Sequence, residues 1–476
     1  MPLLIYNTLS RSKEEFKPLI DSNVRMFVCG QTVYDDAHLG HAKNYINFDI
    51  VVRWLRHSGY TVKYIQNITD VDDKIIRRAE EQHKDPVALA REYESRFMED
   101  MDAIGVRQSV DQYPRSHDYI EEITHQIQLL LDKGYAYKVE SDIYYDVSKF
   151  GNYTKLSGMD LAELEKHRIE PREGKRNSYD FALWKGSKPG EPSWDIELSI
   201  AGNKTSISGR PGWHIEDTAI THAIFGPQYD LHGGAIELIF PHHTNEIAQA
   251  EAAFGVAPFV KYWMHSGVML IKGEKMSKSL RNFIRIRDLL RQYDPEALRL
   301  LIASAHYRKD IGYTESLIKS ASARLNYLRA SFSIFYNMPE SPSGDGAEVD
   351  VAVSKMEPEF KAAMDDDFNT PLALASFSAA IDSLRAFAET HQSIPSETKQ
   401  RAIKSMLDHA YLFGIFKKDS YKERLGEKEL SLIKERERLR KDKKFSDADR
   451  IREQLKNEYS VIVEDSEYGT IWYKSA

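Results

Sequence analysis

Val24-Arg-Met-Phe-Val-Cys29, Ile46-Asn-Phe-Asp-Ile-Val-Val-Arg-Trp-Leu55 and Thr61-Val-Lys-Tyr-Ile-Gln-Asn67 decide how this chain folds. The first is a short apolar run that stops at Gly30, the pattern of a buried strand. In the second, Ile46, Phe48, Val51, Val52 and Leu55 recur close to helical spacing, and Gly59 ends the segment. The third is rich in β-branched and aromatic residues, as strands are. Strand, helix and strand at this spacing predict a parallel pair joined by a right-handed crossover. Ligands of such sheets bind beyond the carboxyl ends of the strands, where Cys29 and Asn67–Thr69 fall.

Working outward, residues 75–135 read as helical and charged. Residues 136–205 mix short strands with turns such as Lys188-Pro-Gly-Glu-Pro192 and read as an inserted subdomain. Sheet-like segments return at Ala235-Ile-Glu-Leu-Ile-Phe240 and Trp263–Leu270. From Pro295 to about residue 415 the pattern is helical, broken by the surface loop Glu340-Ser-Pro-Ser-Gly-Asp-Gly346. The last segment is helix-rich and closes on strand-like Val461-Ile-Val463 and Thr470-Ile-Trp-Tyr473.

A chain of 476 residues is long for one domain, and about three units are expected. No apolar run approaches the roughly 18–20 residues that cross a bilayer. The opening Met1–Phe16 lacks the basic start and long apolar stretch of a signal peptide. The single cysteine excludes an internal disulfide and suits a reducing compartment, so a soluble cytoplasmic protein is expected. The net charge, 65 − 73 = −8, gives no global basic field, and a nucleic acid would have to meet a local patch. Residues 434–444, with seven basic and three acidic side chains, supply a local +4 suited to phosphates.

Two motifs carry chemistry. His38-Leu-Gly-His41 sits where the first strand hands over to the helix. Free backbone N–H groups and the positive helix end suit phosphate there, two imidazoles can donate to its oxygens, and Gly40 lets a nucleotide come close. Lys275-Met-Ser-Lys-Ser279 is a basic, serine-bearing loop able to fold over a triphosphate, with lysines as point charges and serines as donors. Either motif alone also fits a capped helix start or a solvated loop. Both together, in this order and on a βαβ unit, are far more specific.

With these motifs the chain resembles the class I aminoacyl-tRNA synthetases, whose HIGH and KMSKS signatures they match. Further segments narrow the resemblance to the cysteinyl branch: Cys29-Gly-Gln-Thr-Val-Tyr-Asp35, Asn67-Ile-Thr-Asp-Val-Asp-Asp-Lys74, Asp180-Phe-Ala-Leu-Trp-Lys185, Gly209-Arg-Pro-Gly-Trp-His-Ile-Glu216 and Pro241-His-His-Thr-Asn-Glu246. Asp365-Asp-Asp-Phe-Asn-Thr-Pro371 and Phe445-Ser-Asp-Ala-Asp-Arg450 extend it over nearly the whole chain. The resemblance implies an α/β fold: a Rossmann-like catalytic domain over 1–115 and 206–255, with an inserted α+β connective subdomain over 116–205. A KMSKS and stem-contact region over 256–315, a helical bundle over 316–418 and a small anticodon-binding domain over 419–476 would follow. It further implies a monomer that activates L-cysteine with ATP and magnesium, then passes the cysteinyl group to the terminal adenosine of its tRNA.

By the same resemblance, His38, His41, Lys275 and Lys278 would be catalytic, and Gly40, Glu237, Ser277 and Ser279 would bind ATP. Gly30, Trp213 and His232 would line the cysteine pocket, with Thr69 near it. The family's zinc ligands are two cysteines, a histidine and a glutamate, and Cys29, His242 and Glu246 fall on three of them. Independently, His242 and Glu246 are four apart and share a face if helical. The fourth position holds Asp217 in place of cysteine, which keeps the formal charge but offers a harder donor. A three-ligand or different metal site is the alternative. Other departures from the family pattern are Gln31, Thr244, Arg281, Glu237 in place of aspartate, and a longer stretch over Asp195–Ser208. A cysteine ligase acting on a small amine, and an inactive tRNA-binding relative, are the rival functions.

Overall fold

The computed structural model describes residues 2–159, 174–271, 273–275, 283–416, 425–466 and 469–474. Four strands form an all-parallel sheet: β1 (Asn23–Thr32), β2 (Thr61–Thr69), β3 (Tyr229–Ala235) and β4 (Val260–Ser266), in the order β4-β3-β1-β2. Helix α1 (Leu39–His57) joins β1 to β2; α2 (Ile215–Phe225) precedes β3; α3 (Thr244–Phe254) joins β3 to β4. Met26, Phe27 and Val28 are completely buried, which is why β1 reads as an unbroken apolar run rather than an alternating one. The predicted βαβ unit is therefore present. From β1 the chain moves to one side for β2 and later returns on the other for β3. That reversal is a topological switch point, which leaves a crevice beyond the carboxyl ends of β1 and β3.

One expectation fails. Ala235–Phe240 reads as sheet, but β3 ends at Ala235, and helical turns follow over Ile236–Leu238 and Ile239–His243. Pro241 has no N–H to extend a ladder, and Ile236 turns outward to be exposed, so the apolar run does not mark a strand here.

Between β2 and β3 lies a five-stranded antiparallel sheet, in spatial order Ala136–Val139, Asp142–Tyr145, Phe181–Gly186, Asn203–Pro211 and Trp194–Ile200. The longer Asp195–Ser208 stretch is the hairpin of its last two strands, reversed at Ala201 and Gly202 with φ of 52° and 81°. Ile196, Leu198 and Ile207 pack in one core with Ile123, Ile127 and Leu130 of helix Ile120–Asp132. The exposed edge is blunted by Gln128, which donates to the Ser199 carbonyl (3.0 Å) and accepts from its N–H (2.7 Å).

Residues 2–291 with 308–312 form one compact unit, and residues 292–307 with 313–476 another. The second is helical, with Pro295–Ala303, Glu315–Tyr336, Ala347–Asp365, Thr370–Thr390 and Ser396–Phe413 followed by the pair Glu427–Lys441 and Phe445–Tyr459. It closes on the antiparallel hairpin Val461–Ser466 and Gly469–Lys474. The basic 434–444 stretch is less available than its charge suggests. Arg436 is buried and bonds Asp465 through both terminal nitrogens (2.8 and 2.9 Å), and Arg440 pairs with the same carboxylate at 3.1 Å. No helix among the described residues is long and apolar enough to cross a membrane.

Candidate active site

A cavity of about 430 Å³ opens at the switch point. Of the sequence-predicted residues, Cys29, Gly30, His38, Gly40, His41, Trp213 and Glu237 line it. Lys275 is placed only as backbone, paired with Leu270 in a short hairpin. Ser277, Lys278, Ser279 and Arg281 lie outside the described residues.

At one end stands the N-terminus of α1. His38 is its N-cap: Nδ1 accepts the Gly40 N–H at 3.1 Å, while His41 Nδ1 accepts the His38 N–H at 3.2 Å. With both Nδ1 atoms accepting, the proton of each ring resides on Nε2, which makes each imidazole an N–H donor. The rings stack with centroids 3.9 Å apart. No acidic residue occupies the first turn; the Leu39 N–H is taken by the Ile284 carbonyl (3.0 Å) and the Gly40 N–H by His38.

At the other end β1 carries a bulge. Its register against β2 slips between Val28 and Gln31, giving β1 one extra residue. Gly30 is required there because a Cβ would fall 1.6 Å from the Asn67 carbonyl oxygen. Its N–H donates instead to Asn67 Oδ1 at 2.7 Å. Cys29 thereby meets a buried cluster behind the cavity.

In that cluster Cys29, Asp217, His242 and Glu246 each bring one donor atom to within 4.8 Å of the others. His242 Nε2 lies 3.0 Å from Asp217 Oδ2 and 3.0 Å from Glu246 Oε1. His242 Nδ1 faces His214 Nδ1 at 2.9 Å. Neither Glu246 oxygen accepts a well-formed hydrogen bond among the described residues, and the His242 Nε2 that stands 3.0 Å from Oε1 is the close polar neighbour. A carboxylate that is fully buried and unbonded is costly unless it is neutralised or binds a cation. A set of one sulfur, one imidazole nitrogen and two carboxylate oxygens converging on one point fits a divalent metal ion.

Without a cation, burial works against charge on these groups. Burial, reinforced by Glu246 and Asp217, pushes the Cys29 thiol well up. Burial, then Asp217 and Glu216, pushes the Glu246 carboxyl well up. Burial holds His214, His232 and His243 well below the usual imidazole range and brings His265 down to about 3. All of these oppose charge on the groups themselves, whereas a divalent cation among them favours thiolate and carboxylate.

Thr69 and His232 do not line the cavity; they brace the cluster from behind. Thr69 Oγ1 donates to Glu216 Oε1 at 2.9 Å. His232 Nε2 is 3.3 Å from Cys29 Sγ, and its Nδ1 is 2.6 Å from the Tyr229 hydroxyl. His243, passed over in the sequence, is 3.1 Å from the same sulfur, and with Cys29, His232 and Glu246 it forms a second converging quartet. The doubled His242-His243 was its only signal. Lys74 was also missed; it lines the cavity with its ammonium 5.1 Å from the Trp213 ring centre, while Trp213 stacks on His242 at 4.3 Å. Two departures make local backbone bonds: Gln31, which also lines the cavity, donates to the Asp35 carbonyl (2.8 Å), and Thr244 donates to the Ile239 carbonyl (2.7 Å).

Comparison with known proteins bears on this geometry. Residues 15–323 match the family model of the class I (C) tRNA synthetase catalytic domain, and residues 359–417 match the DALR domain. Cysteine–tRNA ligases of Thermococcus gammatolerans and Pyrococcus abyssi are each 43% identical to this chain, and that of Pelotomaculum thermopropionicum 42%. In each case the match covers 99% of this chain and 99% of the relative. Among solved structures, a Mycobacterium tuberculosis methionyl-tRNA synthetase in complex with methionyl-adenylate shares the fold at a TM-score of 0.59. It is 17% identical, over 82% of this chain and 89% of that one. With a class I catalytic domain, a DALR domain and relatives matched end to end, the chain belongs to the cysteine–tRNA ligase family of class I aminoacyl-tRNA synthetases.

Proposed function

We propose that the crevice beyond β1 and β3 is where this aminoacyl-tRNA ligase activates L-cysteine with ATP and passes it to the terminal adenosine of its tRNA, as a cytoplasmic monomer. The phosphates would lie at the α1 N-terminus, taking hydrogen bonds from His38 and His41 beside Gly40, with Mg²⁺ on the ATP. Lys275, Lys278, Ser277 and Ser279 would close over them, and Glu237 would face the ribose. The cysteine carboxylate, ionised at neutral pH, attacks the α-phosphorus and pyrophosphate leaves, so no general base is needed. The protein's work is then positioning and stabilisation of charge growing on the phosphates.

Cysteine would bind between Gly30 and Trp213, with Thr69 and His232 bracing the pocket. Cys29, Asp217, His242 and Glu246 would hold Zn²⁺. Such an ion prefers a thiolate to a hydroxyl, supplying the discrimination from serine that shape alone gives poorly. What supports this reading most is that one cavity brings together the α1 N-terminus, with His38, Gly40 and His41, and Cys29, behind which Asp217, His242 and Glu246 converge. The test is cysteine-dependent ATP–pyrophosphate exchange followed by transfer to tRNA, with zinc analysis of wild type and Asp217→Ala. Exchange driven equally by serine, or full zinc retention in Asp217→Ala, would overturn the respective assignment.

A further inference from the structure

The Asp217 carboxylate has two oxygens, and the structure gives them different neighbours. Oδ2 faces His242, while Oδ1 accepts a 2.6 Å hydrogen bond from Asn67 Nδ2. Asn67, at the end of β2, is itself buried at 1% exposure. Its amide orientation is fixed by chemistry: the Gly30 N–H can only donate, so the Asn67 atom facing it at 2.7 Å is the oxygen. The NH₂ group must then point at Asp217, with its second proton toward Thr69 Oγ1 at 3.4 Å.

One side chain thus touches the supports of two proposed ligands at once. Its oxygen pins the bulge that aims Cys29, and its nitrogen occupies one oxygen of Asp217. A thiolate at position 217 would have one donor atom and nothing to divide; a carboxylate has two, and unless one is engaged elsewhere it can chelate through both and crowd out an open position. We infer that Asn67 is a positioning residue that holds Asp217 as a one-oxygen ligand and keeps it in register with Cys29. The inference rests on the metal reading above.

The experiment measures zinc affinity of the full chain by competition with a chromophoric chelator, and the visible spectrum of the Co²⁺-loaded protein. Asn67→Ala is expected to bind zinc ten- to a hundredfold more weakly, as loss of such outer partners does. Asn67→Asp keeps the oxygen for Gly30 but sets a carboxylate against Asp217, so it is expected to lose at least as much affinity. It should also shift the Co²⁺ ligand-field bands while retaining the thiolate-to-cobalt charge-transfer band. In an Asp217→Cys background Asn67→Ala should cost much less, because the held oxygen is gone. Zinc affinity within about threefold of wild type in both Asn67 variants, with Asp217→Ala and Cys29→Ser impaired, would overturn the positioning role and leave the metal site standing. Unimpaired zinc binding by Asp217→Ala and Cys29→Ser as well would sink both readings. Circular dichroism of the apo variants reports whether the fold survives, and Asn67→Asp, being isosteric, decides the question if Asn67→Ala does not fold.

Discussion

Replacing Gly30 by alanine tests whether the bulge in β1 is built on close backbone approach. The added Cβ would sit 1.6 Å from the Asn67 carbonyl oxygen and 3.1 Å from Asn67 Oδ1. A carbon–oxygen contact needs about 3.3 Å, so β1 and β2 must part by roughly 1.7 Å at that point. Overpacking of a tight interior costs about 1–3 kcal/mol, and loss of the buried Gly30–Asn67 hydrogen bond adds about 1 kcal/mol. The expected total is about 4 kcal/mol at the upper end. For a unit of roughly 290 residues the unfolding entropy is about 0.6 kcal/mol/K, so at that upper end the melting temperature should fall by about 7 °C. Gly233→Ala is the comparison: the nearest atoms its Cβ meets belong to the buried side chains of Phe48 (2.5 Å) and Val28 (2.9 Å), so side chains rather than two strand backbones must shift. Thermal unfolding followed by circular dichroism should rank wild type above Gly233→Ala and Gly233→Ala above Gly30→Ala, with zinc affinity reduced in the last. A Gly30→Ala protein that melts within about 1 °C of wild type would refute the steric argument.

Two further outcomes follow from α1. His38→Ala removes both the helix cap and an Nε2–H donor, so stability should drop by about 1 kcal/mol and pyrophosphate exchange by about 10²–10³-fold. His38→Asn restores the cap acceptor and should recover the stability but not the rate; recovery of both would assign His38 to capping alone. Lys43, 1% exposed, donates to the Gly267 carbonyl at 2.7 Å, and burial lowers its pKa from 10.5 to about 8. The folded state therefore binds fewer protons than the unfolded one between pH 8 and 10.5, and this residue's contribution to stability rises with pH across that window. Relative to wild type, Lys43→Met should gain most below pH 8 and lose up to roughly 3 kcal/mol of that advantage by pH 10.5. Urea unfolding at pH 7 and 10 that gives the same difference would contradict it.

How much of this was legible in the sequence varies with the range of the interactions. Strand, helix and strand over residues 24–67 were readable because their apolar spacing is local, and so was the placing of His38 and Gly40 at a helix start. The four-residue spacing of His242 and Glu246 likewise gave a real contact, 3.0 Å between Nε2 and Oε1. Ala235–Phe240 misleads because a short apolar run has the same signature in a buried strand and in a helical turn. The partners of Cys29 were beyond reach by spacing alone: His232 and His243 lie more than 200 residues away, and only the sheet order brings them to the sulfur. The same holds for Asn67, whose two contacts depend on a bulge that no composition reveals. Arg436 looked like one more cation in a basic run; that it is spent on Asp465 is a tertiary fact.

The order of strands also sets a timetable for synthesis. β1 and β2 leave the ribosome early, but β3, which pairs with β1 on its other side, and β4 beyond it follow only after the five-stranded insertion. Until residues 229–235 arrive, the β3-facing edge of β1 has no partner, and Cys29 stands at that edge with neither its histidines nor Glu246 yet made. The Cys29–Asp217–His242–Glu246 cluster therefore cannot form in a nascent chain that has not reached Glu246, and the insertion must be bypassed or folded before the sheet is complete. A ribosome paused in that interval holds the chain's one thiol before the His232 and His243 imidazoles that enclose it have been made.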